Sequence, residues 1–341
     1  MELFQLLSIS LGVFFLINHL INKYNLLLDN KKSSFHKSFI DKSSNPPFTG
    51  GTFILFSLFF LLPNEEINFK IFIFLVYMSG FLSDIGALKS AKLRFIIQIA
   101  IVLFAVMILN KYVQSVKWDF LDNLLTNNFF KLLFTSFCIL IVMNGTNFID
   151  GLNTLVIGYY LLILIFICIL FKHNDLLLAN DQIVTFFSII LFALLILNSL
   201  NLLYLGDNGA YLLAFFVSII LIDISINLKS ISPYYITNLL WYPAYETLFS
   251  IIRKLKNKKS ALKPDNLHLH QLIYQQIKKK INLNTKIINT FTGFFINIFN
   301  LVIFFLATQN YSNSKFQIAL LLFSVTMYNF IYIVLKEKSQ K

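Results

Sequence analysis

The sequence predicts an all-α integral membrane protein that crosses the bilayer many times. The 341 residues are 57% hydrophobic and only 13% charged, and the mean hydropathy is +0.73. A soluble domain is roughly 45–50% apolar and about 25% charged, so this composition excludes a soluble globular fold. Apolar stretches recur along the chain at about 20 residues, the length of a helix that crosses the hydrocarbon core.

Eleven stretches are predicted to span the membrane, and they form one membrane domain over residues 1–341. The first has no small-residue cleavage site, so it is interpreted as a retained helix rather than a removed signal peptide. The predicted spans are 3–22, 48–63, 69–86, 94–110, 129–145, 152–171, 182–200, 209–228, 235–253, 286–307 and 315–335.

The basic residues predict the orientation of these spans. The C-terminal tail and the loops at 23–47, 84–94, 144–151, 201–208 and 254–286, together with the adjoining Arg253, carry 21 of the 28 Lys and Arg residues. Because positive residues stay on the cytoplasmic side, these connections are predicted to be cytoplasmic, with the N-terminus outside. Topology and anionic lipid account for most of the formal charge of +12, so no nucleic-acid partner is expected.

Four polar motifs lie in the predicted cytoplasmic connections, each near the end of a helix. They are "LSDIGALKSAKLR" (82–94), "NGTNFIDGLN" (144–153), "YLGDNGA" (204–210) and "PDNLHLHQLIY" (264–274), the last within the basic loop 254–286. Polar clusters that are distant in sequence but collect on one membrane face predict a single functional site.

Three aspartates stand out in these motifs: Asp84, Asp150 and Asp207. Carboxylates at a bilayer boundary are costly and are functional candidates by default. Three of them on one face would repel one another unless a cation held them, and oxygen ligands suit Mg²⁺, with Mn²⁺ as a second candidate. The alternative is that Asp150 and Asp207 cap the apolar helices that follow them.

Basic and imidazole side chains lie in the same motifs. Lys89, Lys92 and Arg94 adjoin Asp84, and they fit either a phosphate clamp or anchors that follow the positive-inside rule. His268 and His270 have no nearby Cys or third His, so a zinc site, which needs three or four ligands, is not expected. An imidazole that donates to a diphosphate is favoured over a solvated loop side chain.

The ordered set of motifs resembles a known family. "GFLSDIGALKSAKLRFIIQ", "NGTNFIDGLNTL", "LGDNGA" and "PDNLHLHQL" are similar to segments of the polyprenyl-phosphate N-acetylhexosamine-1-phosphate transferases, the MraY/WecA-like enzymes of glycosyltransferase family 4. "HKSFIDKSSNPPFTGG" resembles a degenerate form of that family's His…Pro-Thr-Pro…Gly-Gly segment. No single motif is specific, but the ordered combination covers essentially the whole chain.

This resemblance implies a Mg²⁺-dependent reaction at the bacterial inner membrane. Undecaprenyl phosphate would attack the β-phosphate of a UDP-N-acetylhexosamine, release UMP and leave a lipid-linked sugar diphosphate. The implied role is initiation of a surface glycan, such as O-antigen in lipopolysaccharide biosynthesis or capsule, rather than peptidoglycan, and a homodimer is one expected assembly. Because a phosphate nucleophile and a diphosphate repel, the reaction needs charge neutralisation and alignment.

The resemblance also implies residue roles. Asp84 matches the second of the family's paired aspartates, which positions or deprotonates the lipid phosphate, and Asn147 and Asp207 match positions associated with Mg²⁺. The positions implied to meet the nucleotide or diphosphate are Asn144, Asp150, Gly151, Asn153, His268 and His270, and Lys92 and Arg94 are assigned to substrate binding with them.

The chain departs from the family pattern at several positions. Ser83 replaces the first paired aspartate, Asn153 replaces an acid, Gln271 replaces the last histidine, and a basic residue is missing near Phe48. The loss of two acids predicts weaker Mg²⁺ binding or an unusual sugar in an active enzyme.

Two other functional classes were weighed against an enzyme. A lipid or ion transporter would place polar groups at mid-membrane in broken helices, often in repeated halves. The halves show no convincing repetition, and the polar residues Asn198 and Asp223 fall near predicted span ends. A membrane scaffold, the third option, does not account for the converging acids.

Overall fold

A computed structural model shows thirteen helices and no strand among the residues that it describes. The structure describes residues 46–62, 66–173, 181–258, 260 and 265–340, with seven single positions between 8 and 23. The helices are α1 Gly50–Leu61, α2 Ile67–Asp84, α3 Ala91–Leu109, α4 Asp119–Leu125, α5 Asn128–Ile149, α6 Leu155–His173, α7 Asp181–Ser199, α8 Gly206–Asn227, α9 Pro233–Leu239, α10 Trp241–Lys256, α11 Leu269–Lys280, α12 Thr285–Gln309 and α13 Ser314–Gln340. The predicted all-α class is confirmed.

Eight of these helices are long and apolar enough to cross a membrane: α2, α3, α5, α6, α7, α8, α12 and α13. Helix α1 is apolar but only 12 residues long. The predicted first span at 3–22, apart from single positions, and most of the first loop lie outside the described residues. The protein is therefore a polytopic membrane protein, while the total of eleven spans and their orientation stay predictions.

Helix α8 forms the centre of the bundle. It packs against α1, α2, α5 and α6, and 83% of the residues in its most apolar stretch are buried. A helix that is apolar all round is suited to a buried position. The Phe216 ring lies 4.9 Å from that of Phe187 on α7 and 5.8 Å from that of Phe69 on α2. This packing holds the first turn of α8, with Asp207, inside the bundle.

The predicted ninth span, 235–253, is not one helix. It divides into α9 and α10, and a proline lies near the start of each. Pro233 is the first residue of α9, after the Ser232 hydroxyl that accepts a hydrogen bond from the Tyr234 amide at 3.3 Å. Pro243 lies in the first turn of α10, where a backbone N–H has no intrahelical partner. Both prolines therefore start helices, and the single-helix prediction is wrong.

The predicted loop 144–151 is mostly helical, because α5 continues to Ile149. Gly145 therefore lies inside a helix rather than in a turn. A Cβ atom at this position would lie 1.9 Å from the carbonyl oxygen of Pro243. The glycine lets α5 and α10 pack in backbone contact, which fixes the end of α5 that carries the polar motif.

Candidate functional site

Asp84 caps the start of the central helix. Its Oδ1 accepts a hydrogen bond from the Asp207 amide at 3.0 Å, and its Oδ2 accepts one from the Asn208 amide at 3.0 Å. Gly206 turns into the helix with φ +77°, and a Cβ there would lie 2.9 Å from Asp84 Oδ2. Helix N-termini favour a negative charge, so Asp84 joins α2 to α8 at one end of the bundle.

Neither of the other two aspartates is at the N-cap position of the helix that follows it. Asp150 is the C-terminal cap of α5, where its backbone amide donates to the Asn147 carbonyl at 3.3 Å. Asp207 lies in the first turn of α8, whose N-cap is Leu205. The cap of α8 comes instead from a residue 123 positions earlier in the chain. Local spacing could not identify it.

Asp207 is the meeting point of two further side chains. The Ser83 hydroxyl donates to Asp207 Oδ2 at 2.7 Å, and Arg94 Nη1 lies 3.0 Å from the same oxygen. Arg94 Nη1 also contacts the Ser83 hydroxyl. The side chains of Arg94 and Asp207 are 26% and 12% exposed, so this ion pair lies at the edge of the bundle.

Along the helix axes, Asn147 and the ion pair of Arg94 with Asp207 lie at about the same level. The Asn144 amide donates to Gln98 Oε1 at 3.4 Å, which ties α5 to α3. From Gln98, Arg94 lies one helical turn back along α3, and from Asn144, Asn147 lies three residues forward along the antiparallel α5. Since a helix rises about 1.5 Å per residue, both steps move toward the same end of the bundle by similar amounts.

The donor set fits a magnesium ion. The side-chain nitrogen of Asn147 is buried and has no hydrogen-bond partner. An amide can flip, so this unsatisfied end can present an oxygen to a ligand. An amide oxygen of Asn147 and the Asp207 carboxylate would be hard oxygen ligands, and Mg²⁺ is commonly bound by one or two carboxylates and substrate phosphates.

A cation held jointly by all three aspartates is not what the structure presents. Among the described residues, no group of three His, Cys, Asp or Glu side chains converges on a metal position. Asp84 instead directs both oxygens to the start of α8. The assignment of Asn147 and Asp207 to the metal stays a prediction.

His270 is a buried imidazole that faces the polar motif of α5. It has no exposed surface, and neither ring nitrogen has a hydrogen-bond partner. Burial, and secondly the charge of His268, lowers the pKa of His270 well below its ordinary value of 6.5. Its Nε2 lies 2.8 Å from the point where a Cβ on Gly151 would be. Buried polar atoms in native proteins normally have partners, so His270 is a candidate contact for a ligand.

His268 has a different environment. Its Nδ1 lies 2.8 Å from Glu246 Oε1, and its Nε2 lies 3.5 Å from Asp265 Oδ1. Because both ring nitrogens face carboxylates, His268 is bound to the protein at both. The expected diphosphate contact of the two histidines is therefore better suited to His270.

The segment from Asp265 to His270, which leads into α11, is anchored to α10. Arg253 makes a two-pronged ion pair with Asp265, with contacts of 2.6 Å and 3.1 Å. Burial raises the pKa of Asp265, but the hydrogen bonds and charge of Arg253 outweigh burial and hold that pKa below its ordinary value. Gln271, the departure from the family's last histidine, accepts a hydrogen bond from the His268 amide at 3.2 Å. The anchor places His270 against Gly151.

Comparison with known proteins is consistent with this arrangement. Residues 67–225 match the family described as Glycosyl transferase family 4. The matched segment contains Ser83, Asp84, Arg94, Asn147 and Asp207. The matched segment makes up slightly less than half of the chain, and this part of the chain is similar to glycosyl transferase family 4.

A curated protein that is similar to this chain comes from Bacillus subtilis (strain 168). It is named "Probable undecaprenyl-phosphate N-acetylglucosaminyl 1-phosphate transferase" and is 26% identical over 204 residues. The alignment covers 58% of this chain and 55% of the relative. The chain thus spans about half the length of the curated relative that it matches.

Two other residues assigned to substrate binding are Asn153 and Lys92. Asn153 is buried, with its amide nitrogen donating to Asn289 Oδ1 at 2.7 Å and its side chain to Asn201 Oδ1 at 2.6 Å. These bonds tie the α5–α6 connection to α12 and to the residues before α8. Asn153 is thus in a structural position, and Lys92 is exposed on the first turn of α3.

Glu246 is a buried ionisable residue that is not among the predicted site residues. This glutamate has no exposed surface, pairs with His268, and accepts a hydrogen bond from the Tyr328 hydroxyl at 2.7 Å. It lies inside the predicted span 235–253, and an ionisable residue within a span is a functional candidate by default. The signal was therefore present in the sequence. Its partner Tyr328 lies 82 residues away, so the sequence did not identify the contact.

Proposed function

We propose that this protein transfers N-acetylhexosamine-1-phosphate from a UDP-sugar to undecaprenyl phosphate and releases UMP. The observation that carries the proposal is the junction of α2 and α8, where Asp84 and Asp207 lie together within the family-matched segment. The name of the curated relative supports the lipid carrier. The apolar helices around the junction provide a route for a long isoprenoid chain from the bilayer.

In the proposed reaction an oxygen of the lipid phosphate attacks the β-phosphorus of the UDP-sugar. The bond from that phosphorus to the oxygen bridging the α-phosphate breaks, and UMP leaves with this oxygen. Asp84 lies where the lipid phosphate would be positioned, beside the cationic Arg94. Asp150 and Gly151 lie at the end of α5, where the sugar nucleotide would meet His270.

Two of these groups suit the charge of the substrates. A neutral His270 can donate one hydrogen bond to a diphosphate oxygen, and its lowered pKa keeps it neutral at pH 7. Asn147 and Asp207 would hold Mg²⁺. The ion, when bound, would supply Lewis-acid stabilisation and alignment of the phosphates.

The transporter alternative receives no support from the polar residues inside the spans. Asp223, one of the two polar residues weighed for that role, pairs with Lys111 at the end of α8 opposite Asp207. Asn198 is bonded to the Leu203 carbonyl at 3.0 Å and to the Thr154 amide at 2.6 Å. Both side chains are bonded to other parts of the protein, and neither offers an unsatisfied polar group at mid-membrane to a transported substrate.

The proposal is tested with the purified full-length protein, undecaprenyl phosphate, Mg²⁺ and a panel of UDP-sugars. We expect UMP release and a lipid-linked sugar diphosphate, identified by mass spectrometry, with one N-acetylhexosamine preferred. The family resemblance implies inhibition by tunicamycin, and Asp207→Asn should abolish turnover. A protein that releases no UMP from any UDP-N-acetylhexosamine would contradict the proposal.

A further inference from the structure

The Asp207 carboxylate is already paired with a positively charged side chain. Arg94 lies 3.0 Å from Asp207 Oδ2, and the Ser83 hydroxyl donates to the same oxygen. The pair is mostly shielded from solvent, so water and salt screen it less than a pair on the open surface. The carboxylate assigned to the metal is thus neutralised by the chain itself.

Ser83 makes this arrangement possible. An aspartate at this position would add a second carboxylate next to Asp207, and the two charges would compete for the single guanidinium of Arg94. The serine hydroxyl instead donates a hydrogen bond to Asp207 and contacts Arg94.

We propose that Arg94 is an exchangeable counter-ion of Asp207, which a divalent cation must displace before it can bind this carboxylate. A divalent cation and a guanidinium attract the same oxygen and repel each other at that distance. The inference rests on the proposed function only in taking Asp207 as a metal ligand.

Displacement gives Arg94 a second position. It lies in the first turn of α3 and is 26% exposed, so its long side chain has space to move toward the bundle surface. A released guanidinium offers paired N–H donors that match a phosphate. Once displaced, Arg94 would be able to bind the lipid phosphate. Metal binding and phosphate binding would then strengthen each other reciprocally.

The test measures Mn²⁺ binding alone, by the electron paramagnetic resonance signal of free Mn²⁺, with full-length protein in detergent and no substrate. Coupling between sites is typically about 5- to 150-fold, so Arg94→Gln should bind Mn²⁺ at least about fivefold more tightly than the natural protein. Arg94→Lys, which keeps the charge, should bind Mn²⁺ as weakly as the natural protein. Asp207→Asn should lose the binding.

Lys89→Gln is the matched control, because it removes one positive charge from the exposed connection before α3. It should change Mn²⁺ affinity by less than about twofold, since Lys89 is exposed and distant charges are screened. Equal affinities of Arg94→Gln and Lys89→Gln would overturn the proposal, and so would Mn²⁺ binding that survives Asp207→Asn. Thermal unfolding checks that each variant is folded.

The two proposals fail separately. A protein that forms the lipid product, but whose Mn²⁺ affinity ignores Arg94→Gln, keeps the proposed function and loses the counter-ion. Tighter Mn²⁺ binding by Arg94→Gln without product from any UDP-sugar keeps the counter-ion and overturns the transferase.

Discussion

At the scale of single residues, neighbouring polar positions in one motif have different tasks. Asn144 ties α5 to α3, Asn147 has an unsatisfied buried amide, and Asn153 is bonded to α12. The sequence places these residues at spacings of three and six. The structure separates them, because Asn144 and Asn153 bond to different helices while the side-chain nitrogen of Asn147 has no partner.

The cap on α8 predicts the effect of Asp84→Asn. Asparagine can still accept one backbone hydrogen bond but loses the charge that faces the substrate site, so turnover should fall about 100-fold or more. Product formation by mass spectrometry measures the loss. Asp223→Asn, which breaks the ion pair at the other end of α8, is the control and should retain turnover. Equal losses in the two variants would contradict a role for Asp84 in the reaction.

Burial of His270 predicts an acid-dependent loss of stability. The pKa of His270 is depressed in the folded protein, so below about pH 6.5 the unfolded state binds the additional proton and stability falls as pH decreases. We expect the melting temperature in detergent to decline between pH 6.5 and pH 5, and to decline less in His270→Gln. Asp265, the carboxylate near His268 with a lowered pKa, titrates below its ordinary 3.8 and so outside this window. Parallel declines in both proteins would refute this assignment.

At the scale of elements, α10, α11 and α13 are joined through one buried carboxylate. Glu246 on α10 contacts His268, which precedes α11, and Tyr328 on α13. The ring of His268 also lies 5.5 Å from that of Phe148 on α5. This junction determines where the histidine loop meets the polar end of α5.

Glu246→Gln should destabilise this junction more than Tyr328→Phe. Removing one partner of a buried ion pair costs on the order of 3–5 kcal/mol, whereas losing one hydrogen bond to a charged group costs about 1.5–3 kcal/mol. Melting temperatures in detergent, measured side by side, test the order of the two variants. If Tyr328→Phe is the more damaging, His268 does not depend on the charge of Glu246.

Elements with strong apolar runs were predicted well from the sequence, and the broken ones were not. The eight long helices match predicted spans because about 20 apolar residues require a membrane-spanning helix. The division at Leu240 and the extension of α5 to Ile149 depend on packing, since Gly145 contacts the Pro243 backbone. Hydropathy does not report such contacts.

At the scale of the whole molecule, the polar residues collect at one end of the bundle. Asp84, Arg94, Asn147, Asp207 and His270 all lie near helix ends that the predicted topology assigns to the cytoplasm. The positive-inside rule thus makes a clear prediction for the orientation of the site.

Cysteine labelling tests this orientation in intact cells. In a background where Cys138 and Cys168 are replaced by alanine, a membrane-impermeant maleimide should label Asn123→Cys directly. It should label Lys256→Cys only after permeabilisation, because both positions are exposed but fall in opposite sets of connections. Labelling of Lys256→Cys in intact cells would place the site on the outer face and remove access to a cytoplasmic sugar nucleotide.

The sequence by itself determined the membrane class, most spans and the polar residues of the site, because composition and hydropathy are properties of local stretches. Only the tertiary structure decided the tasks of those residues: Asp84 caps a remote helix, Arg94 neutralises Asp207, and Glu246 occupies His268 while His270 remains unsatisfied. These tasks depend on hydrogen bonds and charges between residues far apart in the chain, and such distances exist only after the helices have packed.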